Sequence, residues 1–579
     1  MLNRRFMRFS SFALILAVTG VAPVVAQTPP PQQTPQSQPP PNPPQSPLQN
    51  PTSPMKVLPS TATQTMPEQL TGVEPGKTIQ WSLKDAILAG LEKNPDIEIN
   101  RENVRIAQFD LMAAQGVFDP LATSTTLYNS QKTPNAFRFS GATENFVQTN
   151  TTSFNFGLAK YFERTGGFYQ INFNNSRTTS NTSNLATSFS PNLTGSFTQP
   201  LLRNFRSDVN RYQVRLARRR LDISDAQFRQ QVIEIINTVQ NAYWNLAFAI
   251  RNEQIQREAV NLALTQLRNN QRQVEVGTLA PIDVVSAATQ VEANRQQVYQ
   301  AMQVVAEAEN TLKTLTVAGV TDDLWETRIV PTESFELQPI IISLPEAIKL
   351  ALANRPEVQT LEFQQEISRI DIRHYRDQAL PQVDLVATYG LNGLAGTAAI
   401  ITDQNGNPVP VSIDPNLVGG YFSSLGNLFN FSYPSWRVGV NFSFPIRNRT
   451  ARANLGRALA TSRQVDEQLR RQLQTIEAEV RNAYQATQAA NLRVGAAQAA
   501  RQYAEQQLRG EEMRFAAGLS TTFLILQRQN ELSQARGVEV RALTDYNIAV
   551  ANLQRAISTT LTSNNIDINS QPAAPPRIR

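Results

Sequence analysis

The sequence predicts an internally duplicated α+β chain in which each copy runs helix, strands, then a long helical hairpin. Three observations carry that reading. The segment Ser82-Leu83-Lys84-Asp85-Ala86-Ile87 through Asn94-Pro95-Asp96-Ile97 returns 261 positions later as Ser343-Leu344-Pro345-Glu346-Ala347-Ile348 through Arg355-Pro356-Glu357-Val358, and Pro120 still pairs with Pro381. Val239-x-Asn241-Ala242-Tyr243 returns 241 positions later as Val480-x-Asn482-Ala483-Tyr484, with Gln266-Leu267-Arg268 as Gln507-Leu508-Arg509 and Gly277 as Gly518. Matches held in register over two long blocks mark a duplication. The difference between the offsets places 20 extra residues in the first copy, between Pro120 and Val239. Within each copy the apolar period also switches from 3.6 to 2 and back.

In chain order, residues 1–26 read as a signal peptide: a basic start (Arg4, Arg5, Arg8), an apolar run from Phe12 to Val18, and small residues at Val24 and Ala26. A retained N-terminal anchor is the alternative. Residues 27–78 form a Pro-rich linker, with 13 prolines in the 33 residues from Thr28 to Ser60, a composition that stays extended and disordered. The first repeat occupies 79–316, an inter-repeat linker 317–342, the second repeat 343–561, and a disordered tail 562–579.

The opening helix of the first copy runs from about Leu83 to Gln115, and Pro120 ends any helical continuation. Strands follow. Trp436, Val438, Val440, Phe442 and Phe444 alternate with Arg437, Gly439, Asn441 and Ser443. In the first copy Phe154, Phe156 and Leu158 alternate with Asn155, Gly157 and Ala159, as Tyr169, Ile171 and Phe173 do with Gln170, Asn172 and Asn174. Such a sheet is wet on one face and apolar on the other, as in the wall of a transmembrane β-barrel; the half-buried sheet of a soluble sandwich also fits. The 20 extra residues read as an additional hairpin with Glu163-Arg164-Thr165-Gly166-Gly167 as its turn.

The helices that follow are very long. From about Phe205 to Val276 there is neither Pro nor Gly, and Val232, Ile236, Val239, Tyr243, Leu246 and Ile250 recur at helical spacing. Some 70 residues make a rod of roughly 105 Å. The matching stretch, about Ala451 to Ala517, sets alanines at its seams (Ala483, Ala486, Ala490, Ala497, Ala500, Ala504), which lets helices approach closely. A narrow seam on a polar rod suits helices that touch neighbours on two sides and face water elsewhere; an extended coiled coil shares this pattern.

Composition removes most enzyme classes. The chain has no Cys and a single His, His374, so thiolate, disulfide and histidine-based metal chemistry have no residues to work with. A net charge of +6 over 579 residues leaves no basic block for nucleic acid. Gly72-Val73-Glu74-Pro75-Gly76-Lys77-Thr78 is one residue short of a phosphate loop. Gly390-x-x-Gly393-x-x-Gly396 is a loop beside a strand. Arg218-Arg219-Arg220, Arg470-Arg471, Glu511 and Glu512 read as solvated helix faces. Asp322-Asp323 lacks further carboxylates at calcium-site spacing. No catalytic, cofactor or metal site is expected.

The paired Ser-Leu-x-x-Ala-Ile openings, the breaks at Pro120 and Pro381, the exits at Pro200-Leu201 and Pro445-Ile446 and the Asn-Ala-Tyr helices together resemble the TolC-like outer-membrane efflux proteins, over about residues 80–560. The resemblance implies a homotrimer: each chain gives four strands to one outer-membrane β-barrel of twelve, continued by a long periplasmic α-helical barrel. It implies an exit duct of a tripartite efflux or type I secretion system, partnered by a periplasmic adaptor and an inner-membrane pump. The extra hairpin leaves the count of twelve open, since it either lengthens an outward loop or adds strands. Rival readings are a periplasmic adaptor, which needs only one hairpin, and a structural coiled-coil surface protein, which gives the aromatic alternation of 436–444 no purpose.

The long helices reverse at Val276-Gly277-Thr278-Leu279 and Ala517-Gly518-Leu519-Ser520, where glycine supplies a positive φ. Pro281 restarts the first return helix. Helix capping alone accounts for these glycines. The resemblance adds that such tips are the periplasmic entrance where an adaptor docks, through Val276, Gly277, Thr278, Ala517, Gly518 and Leu519. It also makes Asp283, Phe515, Leu524 and Gln527 pore-entrance candidates, with Leu524 and Gln527 standing where some members carry acidic residues. Asp283, repeated threefold, would bind cations or pair across helices; favourable placement of a carboxylate at a helix N-terminus is the simpler explanation.

Overall fold

The computed structural model describes Pro67, Glu74 and residues 76–134, 146–181, 183–335, 337, 342–402, 408–409 and 412–567. The signal peptide, most of the Pro-rich linker and most of the tail lie outside the described residues. No described helix is long and apolar enough to cross a membrane.

The elements follow in order: β1 (Thr78–Trp81), α1 (Leu83–Lys93), α2 (Pro95–Gln115), β2 (Leu121–Pro134), β3 (Phe146–Tyr161), β4 (Phe168–Ser180), β5 (Leu185–Phe189), β6 (Asn192–Pro200), α3 (Val209–Glu275) and α4 (Pro281–Thr316) close the first repeat. After β7 (Arg328–Pro331) come α5 (Leu344–Asn354), α6 (Pro356–Gln378), β8 (Gln382–Asn392), β9 (Ala395–Ala398), β10 (Ile401–Thr402), β11 (Pro408–Val409), α7 (Tyr421–Phe429), β12 (Tyr433–Ser443), α8 (Arg449–Ala516), α9 (Thr522–Ala556) and α10 (Thr560–Ser563).

The opening helix is two helices in each copy, a correction to the single helix expected. Asn94 and Arg355 are held extended by the prolines that follow them, and Pro95 and Pro356 start new helices at the position where a missing N–H costs nothing. The side chain of Asn94 accepts from the Asp96 N–H, and Ser82 and Asp85 form a reciprocal capping box at the start of α1.

The long helix starts at Val209, later than expected, because Asp208 takes the cap: its carboxylate accepts from the Asn210 and Arg211 N–H groups at 2.9 and 3.0 Å. At 67 residues α3 is about 100 Å long. Its upper half carries the main core, where Val232, Ile236, Val239, Tyr243 and Leu246 meet Trp81, Ile87, Leu312 and Ile329. The stretch between the repeats is part of this core. β7 pairs in parallel with β1, Asp322 takes the Lys93 ammonium at 3.1 Å, and buried Lys313 is held by Glu309 at 3.0 Å and the Trp325 carbonyl at 3.0 Å.

The main sheet has eight strands, and its path runs β2–β3–β4–β6–β8–β12, with β5 and β9 beside it. Its pairings along that path are antiparallel. β2 and β12 are its open edges, and every residue of both is exposed.

Candidate functional site at the helix tips

Both hairpins turn by the same backbone device. At the first tip the Gly277 N–H donates to the Val274 carbonyl at 3.0 Å and the Thr278 N–H to Gln273 at 2.9 Å. At the second the Gly518 N–H donates to Phe515 at 3.0 Å and the Leu519 N–H to Arg514 at 2.8 Å. These are paired Schellman closures, which satisfy carbonyls that the helix end would otherwise orphan. They need positive φ at one residue, and Gly277 and Gly518 supply +78° and +75°. A Cβ at either glycine would meet nothing within 4 Å, so the glycines are there for φ and not for space.

The tips present apolar side chains to water. Val276 is 73 % exposed, Leu519 79 % and Phe523 71 %, with Ile282 and Met513 exposed beside them. A soluble tip has no use for such a set, and each residue adds surface that a partner would remove from water. Phe523, Ile282 and Met513 escaped the sequence reading, which followed the glycine motifs; the apolar residue one turn past each reversal is the signal that marks Ile282 and Phe523.

The remaining candidates divide between the hairpins. Asp283 is half-buried in the first turn of α4. Its backbone carbonyl accepts from the Asn270 side chain at 3.2 Å, and Asn270 in turn accepts from Gln266 at 2.8 Å. On the second hairpin Phe515 and Leu524 are half-buried, and Gln527 is exposed and donates to Glu531 at 3.0 Å. Gln527 and Phe523 line one groove together with Ser286, Thr289 and Gln290 of α4. Gln290 crosses to Asn530 at 3.0 Å, linking the two hairpins just above their tips. Glu511 departs from the expected solvated face. It is 8 % exposed and accepts from the Ser520 hydroxyl, tying α8 to its own turn; Glu512 is exposed.

A second constellation lies where helices give way to strands. His374 is buried, stacked on Tyr212 with ring centroids 4.1 Å apart, with its Nδ1 3.1 Å from the Ser207 carbonyl. Burial pushes its pKa below the usual histidine value, against the raising influence of the Ser207 carbonyl and of Asp377, Asp371 and Asp208. Its surroundings are those of a packed neutral ring. Among the described residues no group of His, Cys, Asp or Glu could hold a metal ion.

Residues 164–317 and 347–559 match the family model of the outer membrane efflux protein, more than half of the 579 residues. The chain belongs to the outer membrane efflux protein family. The two matched segments fall on the two copies of the duplication. Solved structures agree on the fold. The CmeC outer membrane channel of Campylobacter jejuni is 16 % identical, with a TM-score of 0.59 over 84 % of this chain and 90 % of that one. CusC is 15 % identical, with 0.59 over 85 % and 96 %. The open state of the MtrE outer membrane channel of Neisseria gonorrhoeae is 17 % identical, with 0.54 over 83 % and 89 %. Among curated proteins none matches the chain. As an outer membrane efflux protein, this chain is an outer-membrane channel component and not an enzyme, with its long helices in the periplasm. The two-hairpin fold leaves the single-hairpin adaptor and the plain coiled coil behind.

Proposed function

We propose that three copies of this chain form the exit duct of a tripartite efflux or type I secretion system, receiving cargo from an inner-membrane pump through a periplasmic adaptor. The observation that carries the reading is the pair of unfinished flanks. On one flank β2 is exposed throughout and α2 shows Ile99, Ile106 and Met112 to solvent. On the other, β12 is exposed throughout and α8 shows Leu492 and Tyr503. Open sheet edges are not tolerated in lipid, and two different complementary flanks generate a ring when the rotation closes. Three copies is the number that the family resemblance implies.

Docking at the tips supplies the control. An adaptor that packs on Val276, Leu519 and Phe523 only in the open arrangement shifts the gate by its differential affinity for that arrangement. Asp283, Phe515, Leu524 and Gln527 lie on the helices beside the tips, among the side chains that such a movement would rearrange. The duct moves cargo passively, and the pump supplies the energy.

Negative-stain imaging of the detergent-purified mature protein tests the assembly. A threefold hollow cylinder with a helical part roughly 100 Å long is expected; a compact particle or a two-chain rod would end the duct reading.

A further inference from the structure

We propose that β3 and β4 span the membrane with the other strands, so that three copies close a barrel of eighteen strands. The inference rests on the threefold duct reading for the number eighteen, and on this chain's own sheet for the six strands that each copy gives.

The decisive feature is where the extra hairpin turns. β2 leaves the helical end of the molecule, and β3 returns to it. The turn after β3 is closed by the Phe162 N–H donating to the Gly167 carbonyl at 2.7 Å and the Gly166 N–H donating to Phe162 at 3.0 Å. That turn is fastened to the start of α3: Arg211 donates to the Arg164 carbonyl at 2.7 Å, and Gln199 donates to Thr165 at 3.0 Å. Gly166 adopts φ +68°, and a Cβ there would stand 2.9 Å from the Arg211 guanidinium and 3.0 Å from the Asn204 carbonyl. An outward loop would have its turn at the far end of the sheet. This turn sits at the periplasmic end, so β3 and β4 each run the full height of the wall.

The faces agree. Following the pairings across the sheet, Phe154, Phe156 and Leu158 of β3 share a face with Ile171 and Phe173 of β4, Leu193 and Phe197 of β6, Leu385 and Tyr389 of β8, and Trp436, Val438 and Val440 of β12. The opposite face carries Asn155, Gly157, Gln170, Asn172, Thr194, Ser196, Thr388, Arg437 and Asn441 in the same registers. An outward loop has no reason to keep an apolar face in rank with the wall; a spanning hairpin must. On that face two cations stand at different levels, and between them Asn175, opposite Phe154, is buried and held by Tyr421 of α7. Lys160 lies near the periplasmic end of β3, and Arg177, opposite Thr152, lies toward the far end of β4. Eight residues of strand separate those levels, about 27 Å at ~3.4 Å each, close to the ~25 Å apolar band of outer-membrane barrels. Long cations at the limits of such a band reach the headgroups.

The second repeat uses its length differently. Between β8 and β12 it folds a cap of β9, β10, β11 and α7 at the outer end, where the Tyr421 hydroxyl donates to the Asn175 amide oxygen at 3.0 Å. The repeats therefore give four and two wall strands. At equal tilt eighteen strands make a barrel roughly 1.5-fold wider than twelve, because diameter grows about linearly with strand number.

Cryo-electron microscopy of the mature protein in lipid nanodiscs tests this, paired with maleimide labelling of single-cysteine variants of the naturally cysteine-free chain. A threefold wall of eighteen strands is expected, with Phe156→Cys and Ile171→Cys reacting with a membrane-impermeant maleimide more than about tenfold slower than the rim variant Asn416→Cys, because lipid shields them. A threefold wall of twelve strands, with 146–180 outside the bilayer and both cysteines labelled as fast as the rim, would overturn the proposal and leave the duct standing. Six strands per copy in a wall that is not threefold would keep β3 and β4 in the membrane and remove the duct reading instead.

Discussion

The long helix of the first repeat and that of the second are nearly equal in length, 67 and 68 residues, yet α3 buries 25 of its residues and α8 only 10. The same motif shows the difference at one residue. Tyr243 is fully buried, with its hydroxyl 3.0 Å from the Trp81 carbonyl, against Glu333, and accepting from the Thr332 N–H at 3.2 Å. Tyr484, its counterpart, is half-buried at the margin of a small cluster around Ile476 and Val480. The first repeat has β1 and β7 to cover its tyrosine. Among the described residues the second repeat has no such strand pair over its tyrosine, and in the proposed ring this outer flank is the one a neighbouring copy would cover.

Four measurements would break or sharpen that contrast. Tyr243→Ala should cost about 3–5 kcal/mol, as large-to-small aromatic core changes do, and leave Glu333 without its hydroxyl partner. Tyr484→Ala should cost under about 1.5 kcal/mol in chain stability, showing instead as trimers that dissociate at lower detergent on native electrophoresis. Equal losses in denaturant unfolding would erase the distinction. Asp208→Ala removes the α3 cap and a partner of Arg211, and should cost about 1–2 kcal/mol. The matching helix α8 starts at Asn448 without a side-chain cap, but Asn448 adopts φ +39° and its amide donates to the Ala379 carbonyl at 2.9 Å. Asn448→Ala should therefore also cost about 1–2 kcal/mol, through φ and that bond and not through a cap; no loss would contradict the structure. Gly277→Ala and Gly518→Ala should each cost about 1 kcal/mol through φ alone, and similar losses from both would establish that the two turns are equivalent. Leu519→Ser, by contrast, should leave melting unchanged and weaken adaptor capture on an immobilised trimer.

The smallest effect is in pH. His374 has its pKa lowered by burial from 6.5, so the folded chain refuses a proton that the unfolded chain accepts. Its contribution is present above pH 6.5 and is lost as pH falls below that value. His374→Gln should flatten the slope of melting temperature between pH 7.5 and 5; an unchanged slope would mean that other groups set it.

Much of this was legible because the chain is written twice. The order of elements, the sheet alternation, the turn at Gly166 and both tip glycines follow from local rules, where one residue type meets one backbone requirement. The break at Asn94-Pro95 was visible as a motif and still read through, since a helical pattern continues on either side of it. What stayed hidden depends on distant neighbours. β7 is four residues that gain a role only by pairing with β1. Glu511 looks like a surface carboxylate until Ser520 folds back onto it. The height of the extra hairpin could not be read from spacing, because it is fixed by Arg211, forty-seven positions from Arg164.

The hairpins also constrain how this molecule can change. α3 and α8 differ by one residue, as do α4 at 36 and α9 at 35. A deletion in one hairpin alone would raise its tip by about 1.5 Å per residue lost, and the rim would become a staircase that a flat partner could not seat. The two hairpins thus set one length twice in one chain, and the depth of the helical part can change only if both are reset together.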